Sequence, residues 1–261
     1  MRNQLRWMAG MAALAFVVAT AGCAASEDAP APAPAEKTAP EPEANPADAI
    51  LADPTRPAEE VAQDADRKAL EVYEFLGVEP GMTVADVWTG GGYNTHLLSR
   101  AVGDGQVTAV LGFYAEGQFA TADALAQRVT EASLDNVEIV SALTDVMPNS
   151  VDVAVAVRNY HDAQQFGDGR PATVAQLFAM TKPGGIVGII DVAAAVEGWD
   201  EDTHRLGEQA VIADFEAGGF ELVDSSDILR NPNDDHSTSG FDVGRHTMDR
   251  YLLKFRKPAG N

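Results

Sequence analysis

The stretch Pro80-Gly81-Met82-Thr83-Val84-Ala85-Asp86-Val87-Trp88-Thr89-Gly90-Gly91-Gly92-Tyr93 constrains the fold of this chain more than any other. Its apolar centre reads as a buried strand, its glycines as a tight loop, and the residues from Tyr93 onward as the start of a helix. Glycine lacks a Cβ, so such a loop takes up positive φ and lets a ligand approach the backbone, while the helix start points unpaired N–H groups at the same place. The arrangement suits a cofactor cradle, in which Asp86, Trp88, Gly90, Gly91 and Gly92 are placed to bind. Without a ligand it is a tight strand-to-helix turn.

What surrounds the loop alternates in kind. Pro57 suits the first turn of a helix that Gly77 ends, with Val61, Leu70, Val72, Tyr73, Phe75 and Leu76 as a partial apolar face. Strands are predicted at 83–88, 106–111, 137–140, 151–157 and 186–191, and helices at 93–101, 117–133, 172–181 and 203–217. Valine- and isoleucine-rich strands without clean polar alternation are covered on both faces, as in a parallel sheet between helices. The expected fold class is therefore α/β, a doubly wound sheet. Two further strand-like runs, 220–228 and 248–256, have no comparable helix between them and are expected to pair antiparallel at one edge. No repeat of solenoid or propeller length is present.

The first fifty or so residues differ in composition from the rest. Residues 1–22 combine a basic start (Arg2, Arg6), an apolar run from Trp7 to Val18 and a small-residue end, the layout of a signal peptide. Thr20-Ala21-Gly22-Cys23 resembles a bacterial lipobox, with Thr20 where leucine is usual. On that reading cleavage precedes Cys23, which carries lipid and anchors the chain to a membrane. The alternative is a plain secretory signal with an incidental cysteine. Cys23 is the only cysteine, so an internal disulfide and a thiolate-held metal cluster are both excluded. Alanine, proline and glutamate dominate the stretch that follows, so 23–50 is expected to be a flexible tether and 51–261 the folded domain. Ala24 after the cysteine, where aspartate would retain a lipoprotein, favours the periplasmic face of the outer membrane.

The chain holds 18 Lys and Arg against 40 Asp and Glu, a formal net charge of −22. Nucleic acid is not an expected partner, because neutralising phosphates requires a basic patch. The expected ligand is a small molecule.

Four landmarks in order make the chain similar to the class I S-adenosylmethionine-dependent methyltransferases. They are the strand and glycine loop at Asp86 to Gly92, the turn Lys182-Pro183-Gly184-Gly185 before Ile186-Val187-Gly188-Ile189-Ile190-Asp191, the run Ala217-Gly218-Gly219-Phe220-Glu221-Leu222-Val223, and Asp249-Arg250-Tyr251-Leu252-Leu253-Lys254-Phe255. The likeness spans roughly 55–257. It implies a seven-stranded Rossmann-like sheet with an antiparallel last strand, and S-adenosylmethionine as cofactor. Trp88-Thr89-Gly90-Gly91-Gly92 together with Arg158-Asn159-Tyr160-His161-Asp162 resembles, more narrowly, an often exported group of methyltransferase-like proteins with no established substrate.

Three positions depart from the family pattern. Trp88 stands where the first motif has a glycine. The second strand ends Val110-Leu111-Gly112 with no carboxylate for the ribose, Glu116 being the nearest acid. Asp145 lies two or three residues beyond the position of the adenine-binding aspartate, which Ala142 or Leu143 occupies. The departures favour, as an alternative function, a non-catalytic binding lipoprotein with a lost or changed cofactor.

Chemistry is expected just after the fourth strand, where open parallel sheets bind ligands. His161 is the candidate general base, since imidazole titrates near neutrality, with Asp162 to orient it. Asn159 and Tyr160 are candidates to hold a ligand, Tyr160 among the catalytic group and Asn159 with Asp145 on the cofactor side. Hydrogen bonding of His161 and Arg158 within the loop is an equal alternative. A second polar cluster, Asn231 to His236, is a candidate lid. Asp234, Asp235 and His236, joined by His204 or His246, carry metal-binding side chains but match no defined metal motif, so no metal is assigned. Asp191 either faces the pocket or caps the next segment.

Overall fold

The computed structural model describes residues 46–239 and 247–260; Cys23, the expected signal peptide, the tether up to residue 45 and His246 lie outside the described residues. Strands β1 (Thr83–Val87), β2 (Gln106–Val110), β3 (Val137–Val140), β4 (Val151–Val157) and β5 (Thr181–Val192) are parallel. A short antiparallel ribbon, β6 (Trp199–Asp200) and β7 (Arg205–Leu206), stands apart from the main sheet. Strands β8 (Glu221–Ser226) and β9 (Arg250–Arg256) complete a seven-stranded sheet of order β3-β2-β1-β4-β5-β9-β8, with β9 antiparallel to both neighbours. This is the doubly wound sheet with a reversed last strand that the sequence predicts.

The helices are α1 (Pro46–Leu51), α2 (Ala58–Val61), α3 (Asp64–Arg67), α4 (Ala69–Leu76), α5 (Tyr93–Val102), α6 (Ala122–Glu131), α7 (Arg170–Met180) and α8 (Glu208–Ala217). Successive strand side chains point to opposite faces, so apolar strands need cover on both. Val72 and Leu76 of α4 and Leu97 and Leu98 of α5 pack on Val84, Val107, Val153 and Val155. On the other face Leu177 of α7 and Phe215 of α8 pack with Ala85, Ala154, Val187 and Ile189. Each fully buried leucine or valine contributes about 1.5–3 kcal/mol.

Local conflicts explain where the elements depart from expectation. The boundary placed at residue 51 falls at the end of α1, because Ile50 and Leu51 pack against the α4–α5 core. Asp53 then accepts a hydrogen bond from Arg100 Nε at 2.7 Å and lies 3.0 Å from His96 Nε2, which fastens this segment to α5. The single helix expected after Pro57 is three short ones, broken before α4 at Lys68, whose φ is 49°. In β5 the register passes from Val151↔Thr181 to Val153↔Ile186, so the Lys182-Pro183-Gly184-Gly185 turn is extruded within the strand. The helix predicted over 203–217 begins only at Glu208. Residues 205–206 form β7 instead, and a Cβ on Gly207 would stand 2.3 Å from the Glu197 and Val196 carbonyl oxygens.

Candidate active site

The carboxyl ends of β4 and β5 open onto a cavity of about 240 Å³, lined by Phe113, Tyr114, Phe119, Phe166, Val192 and Met248 on its apolar side. Its polar lining is Arg158, His161, Asp162, Gln165 and His204. A second cavity of about 340 Å³ lies beside it, against Trp88, Gly112 and the 141–144 loop. Phe113 and Phe166 line both cavities, their rings stacked with centroids 5.0 Å apart.

His161 lies in a 3₁₀ turn, Tyr160–Gln164, that leaves β4. Its Nδ1 is 2.6 Å from Asp191 Oδ1, and its backbone N–H donates to Asp191 Oδ2 at 2.9 Å. Asp191 is fully buried near the end of β5. The orienting role expected of Asp162 therefore belongs to Asp191, the residue left between pocket and cap. Asp162 instead stands 3.6 Å from His161 Nε2 and 3.2 Å from His204 Nε2, on the cavity side. The His161 and His204 rings meet edge to face at 4.8 Å, and Trp199 lies parallel to His161 at 6.2 Å. Burial pushes the His161 pKa down; the charge and hydrogen bond of Asp191, with Asp162 adding, outweigh it and hold the imidazole above its ordinary value.

Tyr160 does not reach the cavity. A 3₁₀ turn has three residues per turn, so Tyr160 and Ala163 share one side, and both are fully buried. The Tyr160 hydroxyl donates to Asp214 of α8 at 3.0 Å, and its ring packs on Phe215. Asp162 and Gln165 share the side that lines the cavity. Tyr160 is thus a core residue rather than a catalytic one.

On the glycine-loop side, Asp86 is buried under the loop and accepts a 2.6 Å hydrogen bond from Thr95 Oγ1. Burial raises its pKa to about 6, with the Thr95 and Thr89 hydroxyls acting against that rise. Gly90 and Gly92 have φ of 56° and 85°. A Cβ on Gly92 would meet Leu125 at 2.6 Å, so this glycine serves packing against α6, whereas Gly91 faces open space. Trp88 has φ of 54°, and its indole covers Gly112 so closely that a Cβ there would sit 2.0 Å from Trp88 Cδ1. Asn159 Nδ2 donates to the Val87 and Trp88 carbonyls at 2.8 and 3.1 Å and ties the β1 and β4 loops together, while its Oδ1 is buried with no partner among the described residues. Asp145 is exposed and accepts from Ala142 N at 2.9 Å, capping its own turn. Glu116 is exposed and lines neither cavity.

The fit to S-adenosylmethionine is accordingly uneven. The ribose carboxylate is absent, Leu111 being buried in its place. A base-sized cavity beside Trp88, the open face of Gly91 and the unpartnered Asn159 Oδ1 fit such a cofactor. A recess lined by Arg67, Arg158 and Arg250, between α4, the start of α5 and the ends of β4 and β5, is much smaller, about 20 Å³, room for about one water-sized group. Arg250 is buried and its Nε has no partner among the described residues, which suits an anionic group. Sequence reasoning missed this recess, because the three arginines are far apart in the chain. It also missed the aromatic wall and the place of His204, which a helix over 203–217 would have put elsewhere.

The second polar cluster is used structurally. Asp234 pairs with Arg205 at 2.8 and 3.1 Å, His236 Nε2 lies 3.0 Å from Asp249, and Asp235 accepts from Ser237 in its own turn. None of these lines either cavity.

No protein-family profile matches the chain, and no curated protein matches it. Among solved structures, an S-adenosylmethionine-dependent methyltransferase from Aquifex aeolicus superposes with a TM-score of 0.57 at 20% identity, covering 81% of this chain and 98% of that one. The [4+2]-cyclase SpnF gives 0.57 at 19% identity over 75% and 81%. A geranyl diphosphate methyltransferase in complex with S-adenosylmethionine gives 0.56 at 15% identity over 80% and 94%. Strand order, the reversed last strand and these neighbours agree: the chain has the Rossmann-like fold of the S-adenosylmethionine-dependent methyltransferases.

Proposed function

We propose that this chain is an S-adenosylmethionine-dependent methyltransferase acting on a small molecule held in the aromatic cavity beside His161. The observation that carries the reading is the His161 imidazole, pinned through Nδ1 by a buried carboxylate, on the lining of a ligand-sized cavity at the carboxyl ends of β4 and β5. Trp88, Gly91 and Asn159 would hold the cofactor. Bound, the cofactor supplies an electrophilic methyl group. Methyl transfer depends chiefly on alignment of the two reactants, which a walled cavity provides. His161 Nε2 accepts the proton of an O–H or N–H nucleophile, and Asp191 keeps the ring in the tautomer that leaves this lone pair free.

A second reading, a binding protein with a lost or changed cofactor, is favoured by Trp88 lying over Gly112 and by Leu111 in place of the acid. A shared fold does not fix the reaction, as a cyclase among the neighbours illustrates. Calorimetric titration of the full chain with S-adenosylmethionine and S-adenosylhomocysteine separates the two. Micromolar binding is expected, and no heat at millimolar ligand would sink the methyltransferase reading.

We also infer that the chain is exported and lipid-anchored through Cys23 on the periplasmic face of the outer membrane, which the lipobox-like Thr20-Ala21-Gly22-Cys23 supports. No helix among the described residues is long and apolar enough to cross a membrane. Cys23→Ser is expected to move the protein from the membrane to the soluble fraction; retention in the membrane would count against the anchor.

A further inference from the structure

We propose that His161, Asp162 and His204 form a binding site for a divalent transition-metal cation of the zinc(II) type, open to the aromatic cavity. This goes beyond the methyl-transfer reading and does not depend on it. One donor atom from each of the three residues converges, all within 4.8 Å of one another. Asp162 Oδ1 is 3.6 Å from His161 Nε2 and 3.2 Å from His204 Nε2. Ligand atoms on a tetrahedral cation with bonds of about 2.0–2.1 Å stand roughly 3.3 Å apart, so both Asp162 spacings are close to those of a filled site, and the two imidazoles, whose donors lie within 4.8 Å, would draw together on binding. Two imidazoles and one carboxylate form a donor set typical of zinc and its neighbours, rather than of magnesium or calcium, which take oxygen ligands.

Two further features of the site fit a cation. The remaining ring nitrogen of His161 is held at 2.6 Å by Asp191, as metal-binding histidines are commonly held by a carboxylate behind them. His204 has φ of 53°, a strained backbone for a large residue, at the turn between β6 and β7 that brings its ring to Asp162. Three protein ligands leave a coordination position for a ligand atom from the cavity, which the same three residues line. With a cation seated, His161 Nε2 is a ligand. An oxygen or nitrogen nucleophile in the cavity would then be acidified by coordination instead of losing its proton to the free imidazole.

The test is metal content and spectroscopy of the full chain, independent of methyl transfer. After incubation with zinc(II) and gel filtration, about one equivalent should be retained, and cobalt(II) in its place should give the intense visible absorption of a four- or five-coordinate site. His204→Ala and Asp162→Asn, checked for folding by circular dichroism, should each weaken retention at least about tenfold, and Asp191→Asn about 10–100-fold. His236→Ala, in the other polar cluster, should leave it unchanged. Absence of retained zinc in the wild-type chain would overturn the proposal, as would retention unaffected by both His204→Ala and Asp162→Asn. Zinc binding without S-adenosylmethionine binding would leave the site standing and the methyltransferase reading fallen; the reverse pair of results would do the opposite.

Discussion

His161→Ala is expected to lower the rate of S-adenosylhomocysteine formation, measured against a panel of phenol and amine acceptors, by about 10²–10⁴-fold, the usual contribution of a positioned proton acceptor. Affinity for S-adenosylmethionine, measured by calorimetry, should stay within about threefold of wild type, because His161 faces the aromatic cavity rather than the one beside Trp88. Asp191→Asn should reproduce much of the loss. It keeps the side-chain shape but removes the charge that holds Nδ1–H, so the ring is free to turn or to change tautomer. Asp191 is in this sense a positioning residue. An equal loss of rate and of cofactor affinity in His161→Ala would make the residue a cofactor contact. An unchanged rate would rule it out as the proton acceptor.

The second large effect is on stability. Arg205 is fully buried, and its guanidinium makes five hydrogen bonds: two to Asp234 at 2.8 and 3.1 Å, one to the Ala193 carbonyl at 2.9 Å, and two to the Thr238 carbonyl at 2.9 and 3.2 Å. All five N–H groups of the side chain are thereby used. Asp234→Ala would leave that cation buried without its counter-charge, and a loss of about 3–5 kcal/mol is expected in urea unfolding. The adjacent Asp235→Ala removes only an exposed turn contact and should cost about 1 kcal/mol or less. Replacing Arg205 and Asp234 together by Met and Leu should recover only the part due to the unpaired charge, because Asp234 also accepts from the His236 and Asp249 backbone N–H groups at 3.0 and 2.7 Å, which the double variant leaves without that partner. Similar losses for Asp234→Ala and Asp235→Ala would refute this account.

The fold was legible because its cues are local. Valine-rich runs such as Val151–Val157 match the observed strand, and the glycine loop before Tyr93 marks the start of α5. What stayed hidden depends on rotation and distance. Nothing in Arg158-Asn159-Tyr160-His161-Asp162 says which side of a 3₁₀ turn will face the core, so Tyr160 and His161 looked equally available. Asp191 was visible as a strand-end acid but not as the partner of a residue 30 positions away. The apolar residues of 203–217 suit a helix, yet the close approach of Gly207 to the 196–197 backbone, which only the folded chain creates, turns its first residues into a ribbon. Arg67 and Arg250 meet one recess from opposite ends of the domain, a juxtaposition no local pattern encodes.

Trp88, on the second cavity, and Arg158 and His204, on the aromatic one, share a property that bears on how the two cavities can change over evolutionary time. Each is a large side chain on a left-handed backbone, with φ of 54°, 55° and 53°. Glycine would relieve about 1 kcal/mol or more of backbone strain at each position, but at Trp88 the loss of a buried indole from the core would cost about 3–5 kcal/mol and outweigh that gain. At Arg158 and His204 the strained backbone carries a guanidinium and an imidazole on the lining of the aromatic cavity. In a lineage that no longer used that cavity, these two positions would be expected to drift before Trp88, which the core holds in place.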